Sequence, residues 1–145
     1  MKRTQLYWED VQVDQEIPTS YSMKLDATRM TLQVSGTQDY YPVHHDRDFA
    51  RASGVPDVFV NTGFLGAALG RLLTDWIGPE GWLRTFRVEM RKMNLFGETM
   101  TLKGKVTRKY VQDGDHYVDA DVWCETEAQG VTTPCKATVL LPSRG

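Results

Sequence analysis

Apolar residues along this chain follow two different rhythms. Between Thr28 and Gly78 they recur at helical spacing. In "ATRMTLQVSG" Met30 and Val34 stand four apart, and "HDRDFARASG" closes on a glycine suited to a helix C-terminus. The longest such run is "NTGFLGAALGRLLTDWIGP", where Phe64, Leu65, Ala68, Leu69, Leu72 and Leu73 follow one side. Asn61 can cap its start and Gly78-Pro79 ends it, which predicts a helix of about 17 residues and about 25 Å.

After Pro79 the alternation is that of strands. "WLRTFRVEMRKM", "TMTLKGKVTRKY", "HYVDADVWCETE" and "TTPCKATVLLP" are separated by "FGE", "QDGD" and "AQG", which predicts an antiparallel meander. A hairpin centred on Gln129-Gly130 would set Cys124 opposite Cys135. Val118, Ala120 and Val122 lie on the cysteine side of the first strand, and Ala137 and Val139 continue that side on the second. Both thiols are therefore expected on an apolar inner face. With "SYSMKLD" as an earlier strand, the pattern gives about five strands and one long helix. The expected architecture is α+β, a single hotdog domain over residues 1–145 in which an antiparallel sheet wraps around the long central helix.

Composition narrows the function classes. A length of 145 residues suits one domain with one core, and no repeat or low-complexity tract divides it. A formal net charge of -2 without a Lys or Arg block gives no electrostatic footprint for nucleic acid or an anionic membrane, so a small ligand is expected. The N-terminus carries positive charge but no apolar segment after it, and no stretch nears the roughly 20 apolar residues of a spanning helix. A cytoplasmic protein is the expectation. Cys124 and Cys135 lack CxxC spacing and read as reduced thiols.

Candidate chemistry concentrates in "TQDYYPVHHD", residues 37–46. Pro42 fixes its own φ and biases Tyr41 to an extended conformation, so this should be a rigid irregular segment between helices. Asp39 and His44 are five apart, a spacing that diverges on a helix or strand but can converge around a turn. A converged carboxylate can take a proton from water while the imidazole passes one either way, which suits addition or removal of water. His45 adjoins a helix start that Asp46 is expected to cap, so both read as structural. His116 follows "QDGD" and is expected to be exposed. No His-x-x-x-His or Cys/His spacing supports a metal site.

"TQDYYPVHHD", with "FA" at 49–50, Gly54, "NTG" and "FGETMTL" after it, resembles the motif of the MaoC-like enoyl-CoA hydratases, roughly S/T-G-D-x-N-P-hydrophobic-H-x-D. The similarity runs from about Leu25 to Val106 and implies the same hotdog fold. It assigns the catalytic aspartate to Asp39 and the catalytic histidine to His44. Together they would activate a water for attack at the β-carbon of a trans-2-enoyl thioester, then protonate the α-carbon. The family's oxyanion-binding glycine at the start of the central helix falls on Gly63, and the N–H of Thr62 is placed to help. Two positions depart from the motif: Gln38 stands for its glycine and Tyr41 for its asparagine. The Tyr41 ring is expected to contact substrate or line an enlarged pocket.

The runs "DYYPVHHDRDFA", "DVFVNTG" and "LLTDWIGP" are similar to the small hydratase subunits of bacterial steroid side-chain degradation, which pair with a second hotdog chain. The resemblance thus implies reversible hydration of a 2-enoyl-CoA, with a bulky acyl group in prospect. It implies no cofactor beyond the CoA of the substrate, and a homodimer or a heteromer with a second hotdog subunit. Two alternatives stand beside it: an acyl-CoA thioesterase, with less need of His44, and a non-catalytic acyl-CoA-binding subunit. Arg84, Arg87, Arg91 and Lys92 read more simply as a solvated strand face than as CoA phosphate ligands. The small residues of "GFLGAALG" read as helix-to-sheet packing, and Trp76, Trp82 and Trp123 as core or interface residues.

Overall fold

In the computed structural model, which describes residues 4–145, strand β1 (Tyr21–Lys24) is followed by three helices, α1 (Ala27–Thr37), α2 (Arg47–Ala52) and α3 (Thr62–Ile77). Strands β2 (Trp82–Val88), β3 (Thr99–Gln112), β4 (Asp115–Thr126) and β5 (Gly130–Leu140) complete the chain. The N-terminal charges Lys2 and Arg3 lie outside the described residues. No helix among the described residues is long and apolar enough to cross a membrane.

Helix α3 forms where its sequence pattern places it. Asn61 caps it, its Oδ1 accepting the Phe64 N–H at 2.8 Å. Leu65, Leu69, Leu72 and Leu73 are completely buried, each worth about 1.5–3 kcal/mol as apolar surface removed from water. The stripe of small residues does let the sheet approach: a Cβ at Gly66 or Gly70 would meet the Phe86 ring at 3.9 or 4.0 Å. At the other end Gly78 turns the chain with φ 81 and ψ -179. Gln5 closes that end, donating to Ile77 O at 2.9 Å and accepting the Glu80 N–H at 2.8 Å.

The sheet is antiparallel throughout, but its order is β1-β3-β4-β5-β2. The consecutive meander is thus confined to β3, β4 and β5, and β2 pairs with β5 rather than β3. After Val88 the predicted strand gives way to an irregular connection that crosses back: Glu89 N–H still donates to Pro134 O, and then Phe59 bridges to Leu95 and Phe96 N–H donates to Val58 O. That crossing carries the chain from one edge of the sheet toward the other.

The β4–β5 hairpin also differs in register from the sequence expectation. Cys124 faces Thr133 and Cys135 faces Val122. The turn holds three residues, 127–129, with Gly130 at φ +67, and Thr132 is an extra residue between the pairs Cys124–Thr133 and Glu125–Val131. Because the resulting offset is two residues, the faces do not exchange, and both thiols are buried in the core as expected. Burial pushes each up to about 12; the neighbouring Cys135 sulfur adds to this at Cys124.

One ring, expected to be exposed, is not. His116 lies inside β4, half-buried against the Trp8 ring at 5.0 Å between centroids, because Trp8 is anchored there by its Nε1 donating to Tyr117 O at 3.2 Å. Of the three tryptophans expected in core or interface positions, Trp76 is buried, Trp123 is half-buried and Trp82 stands 67% exposed at the start of the edge strand β2.

Candidate active site

The end of α1 sets the position of the acid. Asp26 caps the start of that helix, accepting the Arg29 N–H at 2.8 Å. The helix stops at Gln38, which takes a left-handed conformation with φ 56 and ψ 26. This is the position where the hydratase motif has glycine, the residue that enters the left-handed region without steric cost. The reversal turns Asp39 back over the helix end, and its Oδ1 accepts the Tyr41 N–H at 3.3 Å.

Pro42 then starts a single 3-10 turn, Pro42–His44, as its fixed φ favours. Its carbonyl accepts from both His45 and Asp46, and Asp46 caps α2 by accepting the Phe49 N–H at 3.0 Å. The expected convergence occurs: His44 Nε2 lies 3.3 Å from Asp39 Oδ2. On its other side His44 Nδ1 lies 2.8 Å from Phe59 O, and Phe59 is itself held by its bridge to Leu95. A carbonyl can only accept, so Nδ1 carries a proton. In the neutral ring Nε2 and the carboxylate then face each other with lone pairs, which leaves a place for one mobile proton between them. The histidine is buried at 6% exposure while the Asp39 side chain is 43% exposed, so the pair has a dry end and a wet end.

Hydrogen-bond donors stand beside this pair at the N-terminus of α3. Of the early N–H groups, that of Asn61 goes to Gln33 Oε1 at 3.2 Å and that of Phe64 to the Asn61 side chain. Among the described residues, those of Thr62 and Gly63 have no acceptor. The helix end is drawn to the acid by Thr37, whose Oγ1 accepts from Asn61 Nδ2 at 2.7 Å and from Asp39 N at 3.4 Å. At Gly63 a Cβ would meet the Thr37 methyl at 3.3 Å, so absence of a side chain matters here.

Tyr41 is exposed, edge-on to His44 at 6.4 Å and to Phe49 at 5.8 Å between centroids, and Tyr40 is exposed next to it. His45 turns away, its Nε2 3.1 Å from Tyr40 O, in the structural role expected of it. Sequence reasoning read Asn61 only as a cap and did not single out Thr37, Gln33 or Phe59. The first two of these carried a readable sign, since polar residues at 33 and 37, one helical turn apart, share a face with buried Met30 and Val34. Phe59 contributes through its carbonyl, for which the sequence carries no sign. No group of three or more His, Cys, Asp or Glu among the described residues is arranged to hold a metal ion.

No family model matches the chain. The 3-oxo-4,17-pregnadiene-20-carboxyl-CoA hydratase beta subunit of Mycobacterium tuberculosis is 35% identical over 89 residues, covering 61% of this chain and 67% of that protein. A chain of the ChsH1-ChsH2 complex from the same organism superposes with a TM-score of 0.80 at 27% identity, over 90% of this chain and 98% of its own length. A MaoC-like dehydratase from Rhodospirillum rubrum gives a TM-score of 0.81 at 17% identity, over 97% of this chain and 99% of its own length; that likeness is one of fold. The hotdog architecture expected from the strand and helix pattern is therefore the observed one. With a curated relative this similar over two thirds of its length and the same fold nearly end to end, the chain belongs to the MaoC-like enoyl-CoA hydratase family.

Proposed function

We propose that this chain catalyses the reversible hydration of a 2-enoyl-CoA thioester to a 3-hydroxyacyl-CoA, with Asp39 and His44 as its acid–base pair. The observation that carries the reading is the 3.3 Å approach of Asp39 Oδ2 to His44 Nε2 next to two N–H donors free of acceptors. A water held at the wet end of the pair loses a proton to it as the water oxygen bonds to the β-carbon. The π electrons move toward the thioester oxygen, where the N–H groups of Thr62 and Gly63 stabilise the enolate. The pair then returns one proton to the α-carbon and ends where it began. Dehydration is the same path reversed.

CoA enters as part of the substrate, and this reading needs no further cofactor. For the acyl group we favour a steroid side chain, because the M. tuberculosis relative is named for such a CoA ester and because Tyr41, exposed at the mouth of the pair, replaces the motif's smaller asparagine. A second hotdog subunit as partner is supported by the ChsH1-ChsH2 complex, in preference to a homodimer. The reading implies a cytoplasmic enzyme, in keeping with two thiols that are not joined.

Loss of enoyl-thioester absorbance, followed with a short 2-enoyl-CoA and a steroid side-chain 2-enoyl-CoA, tests this directly. Turnover by the wild type, alone or with its partner, but not by His44→Ala supports it. Release of free CoA thiol without a hydroxyacyl product would replace it with the thioesterase reading. Silence of the complete complex with both substrates would leave a binding subunit.

A further inference from the structure

Two side chains that need not touch a substrate join the acid–base loop to the donor end of α3. The Thr37 hydroxyl gives its proton to Gln33 O at 2.7 Å, which leaves two lone pairs. One accepts from Asn61 Nδ2 at 2.7 Å, the other from the backbone N–H of Asp39 at 3.4 Å. A single oxygen thus touches both the residue that caps α3 and the residue that carries the acid.

Asn61 is used just as fully. Its Oδ1 caps Phe64 N–H, its Nδ2 reaches Thr37, its own N–H goes to Gln33 Oε1 and its carbonyl accepts from Leu65. An aspartate would cap the helix equally well but has no donor for Thr37. The Thr37 methyl stands 3.3 Å from where a Cβ at Gly63 would lie, so the helix end packs close to this side chain. The hydroxyl, bonded to Asn61 and to the Asp39 backbone at once, fixes how near α3 comes to Asp39.

We propose that Thr37 and Asn61 are a coupled pair of positioning residues that set the distance between the Asp39–His44 pair and the N–H donors of Thr62 and Gly63. The inference rests on the hydratase reading, in which one substrate must present its carbonyl oxygen to the donors and its α- and β-carbons to the pair at once. Misplacement by about 1 Å in such a geometry lowers a rate about 100-fold.

The test compares Thr37→Val, Thr37→Ser, Asn61→Asp and the Val/Asp double variant in the complete complex, with kcat and KM measured separately. Thr37→Val and Asn61→Asp should each lower kcat about 10–100-fold with KM within about threefold, and the double variant should be no worse than the poorer single one. Thr37→Ser, which restores the hydroxyl, should recover kcat to within about threefold of wild type. Asn61→Asp keeps the helix cap, so it reports even where Thr37→Val folds poorly. An active wild type with unchanged kcat in the single variants, or with losses that multiply in the double, overturns the inference alone. An inert wild-type complex overturns the hydratase reading and this inference with it.

Discussion

His44 and Asp39 meet at 3.3 Å across a proline bend, with the imidazole locked from behind by the Phe59 carbonyl at 2.8 Å. The ring therefore has one face committed and one available, and the carboxylate is the group that completes it. Replacing Asp39 by Asn keeps size and hydrogen bonding to Tyr41 but removes the proton acceptor. We expect Asp39→Asn to lower kcat about 10²–10⁴-fold while binding of an unreactive saturated acyl-CoA stays within about threefold. Equal turnover in the variant would remove Asp39 from the chemistry.

Gln38 sits with φ 56 in a region that disfavours side chains, and its own side chain is exposed, so nothing packs against what a glycine would lose. Gln38→Gly should stabilise the fold by about 1 kcal/mol, read as a rise in melting temperature of about 2–5 °C. A fall would mean that the side chain holds the loop in some way its backbone does not.

Gly78 is the opposite case. Its φ of 81 and ψ of -179 suit glycine, and a Cβ there would lie 2.7 Å from Thr4 O and 2.9 Å from Gln5 Cα, both backbone atoms that cannot rotate aside. We expect Gly78→Ala to destabilise by about 2–4 kcal/mol in urea unfolding. A change under about 0.5 kcal/mol would show that the N-terminal segment gives way freely.

Burial holds both thiols at about 12 against an ordinary value of 9.0. Below pH 9 the thiols are protonated in folded and unfolded chain alike and contribute no pH dependence. Between pH 9 and about 12 the unfolded chain loses protons that the folded chain keeps, so stability falls as pH rises through this window. At pH 8 neither cysteine should react with a thiol-specific dye until denaturant is added. Rapid labelling of either thiol in native protein would place that thiol at the surface.

Much of this architecture is legible from residue spacing. The α3 pattern, its Asn61 cap and its Gly78 stop are local features, and a helix that buries one face obeys them whatever surrounds it. The position of β2 beside β5 is a different matter, because strand order depends on which edge is free when the chain returns. The hairpin register differs because the three-residue turn is centred on Ala128 instead of Gln129-Gly130, an offset of three that the extra residue Thr132 reduces to two; its hydroxyl bonds Asn94 at 2.7 Å and Cys124 O at 3.1 Å. Such a bulge is fixed by a distant partner, not by the turn. Within the site, Asp39 and His44 were readable from charge around Pro42, whereas a backbone carbonyl such as Phe59 O has the same chemistry at every position and leaves no trace in a sequence.

Gln33, Thr37, Asp39, His44, Phe59, Asn61, Thr62 and Gly63 all precede the long strands, and among the described residues no strand lends a side chain to this constellation. One short synthetic DNA cassette covering positions 33 to 63 would therefore span it whole. Combinatorial libraries for altered turnover can be built in that cassette, while solubility and thermal tolerance are improved in the remaining codons as a separate campaign.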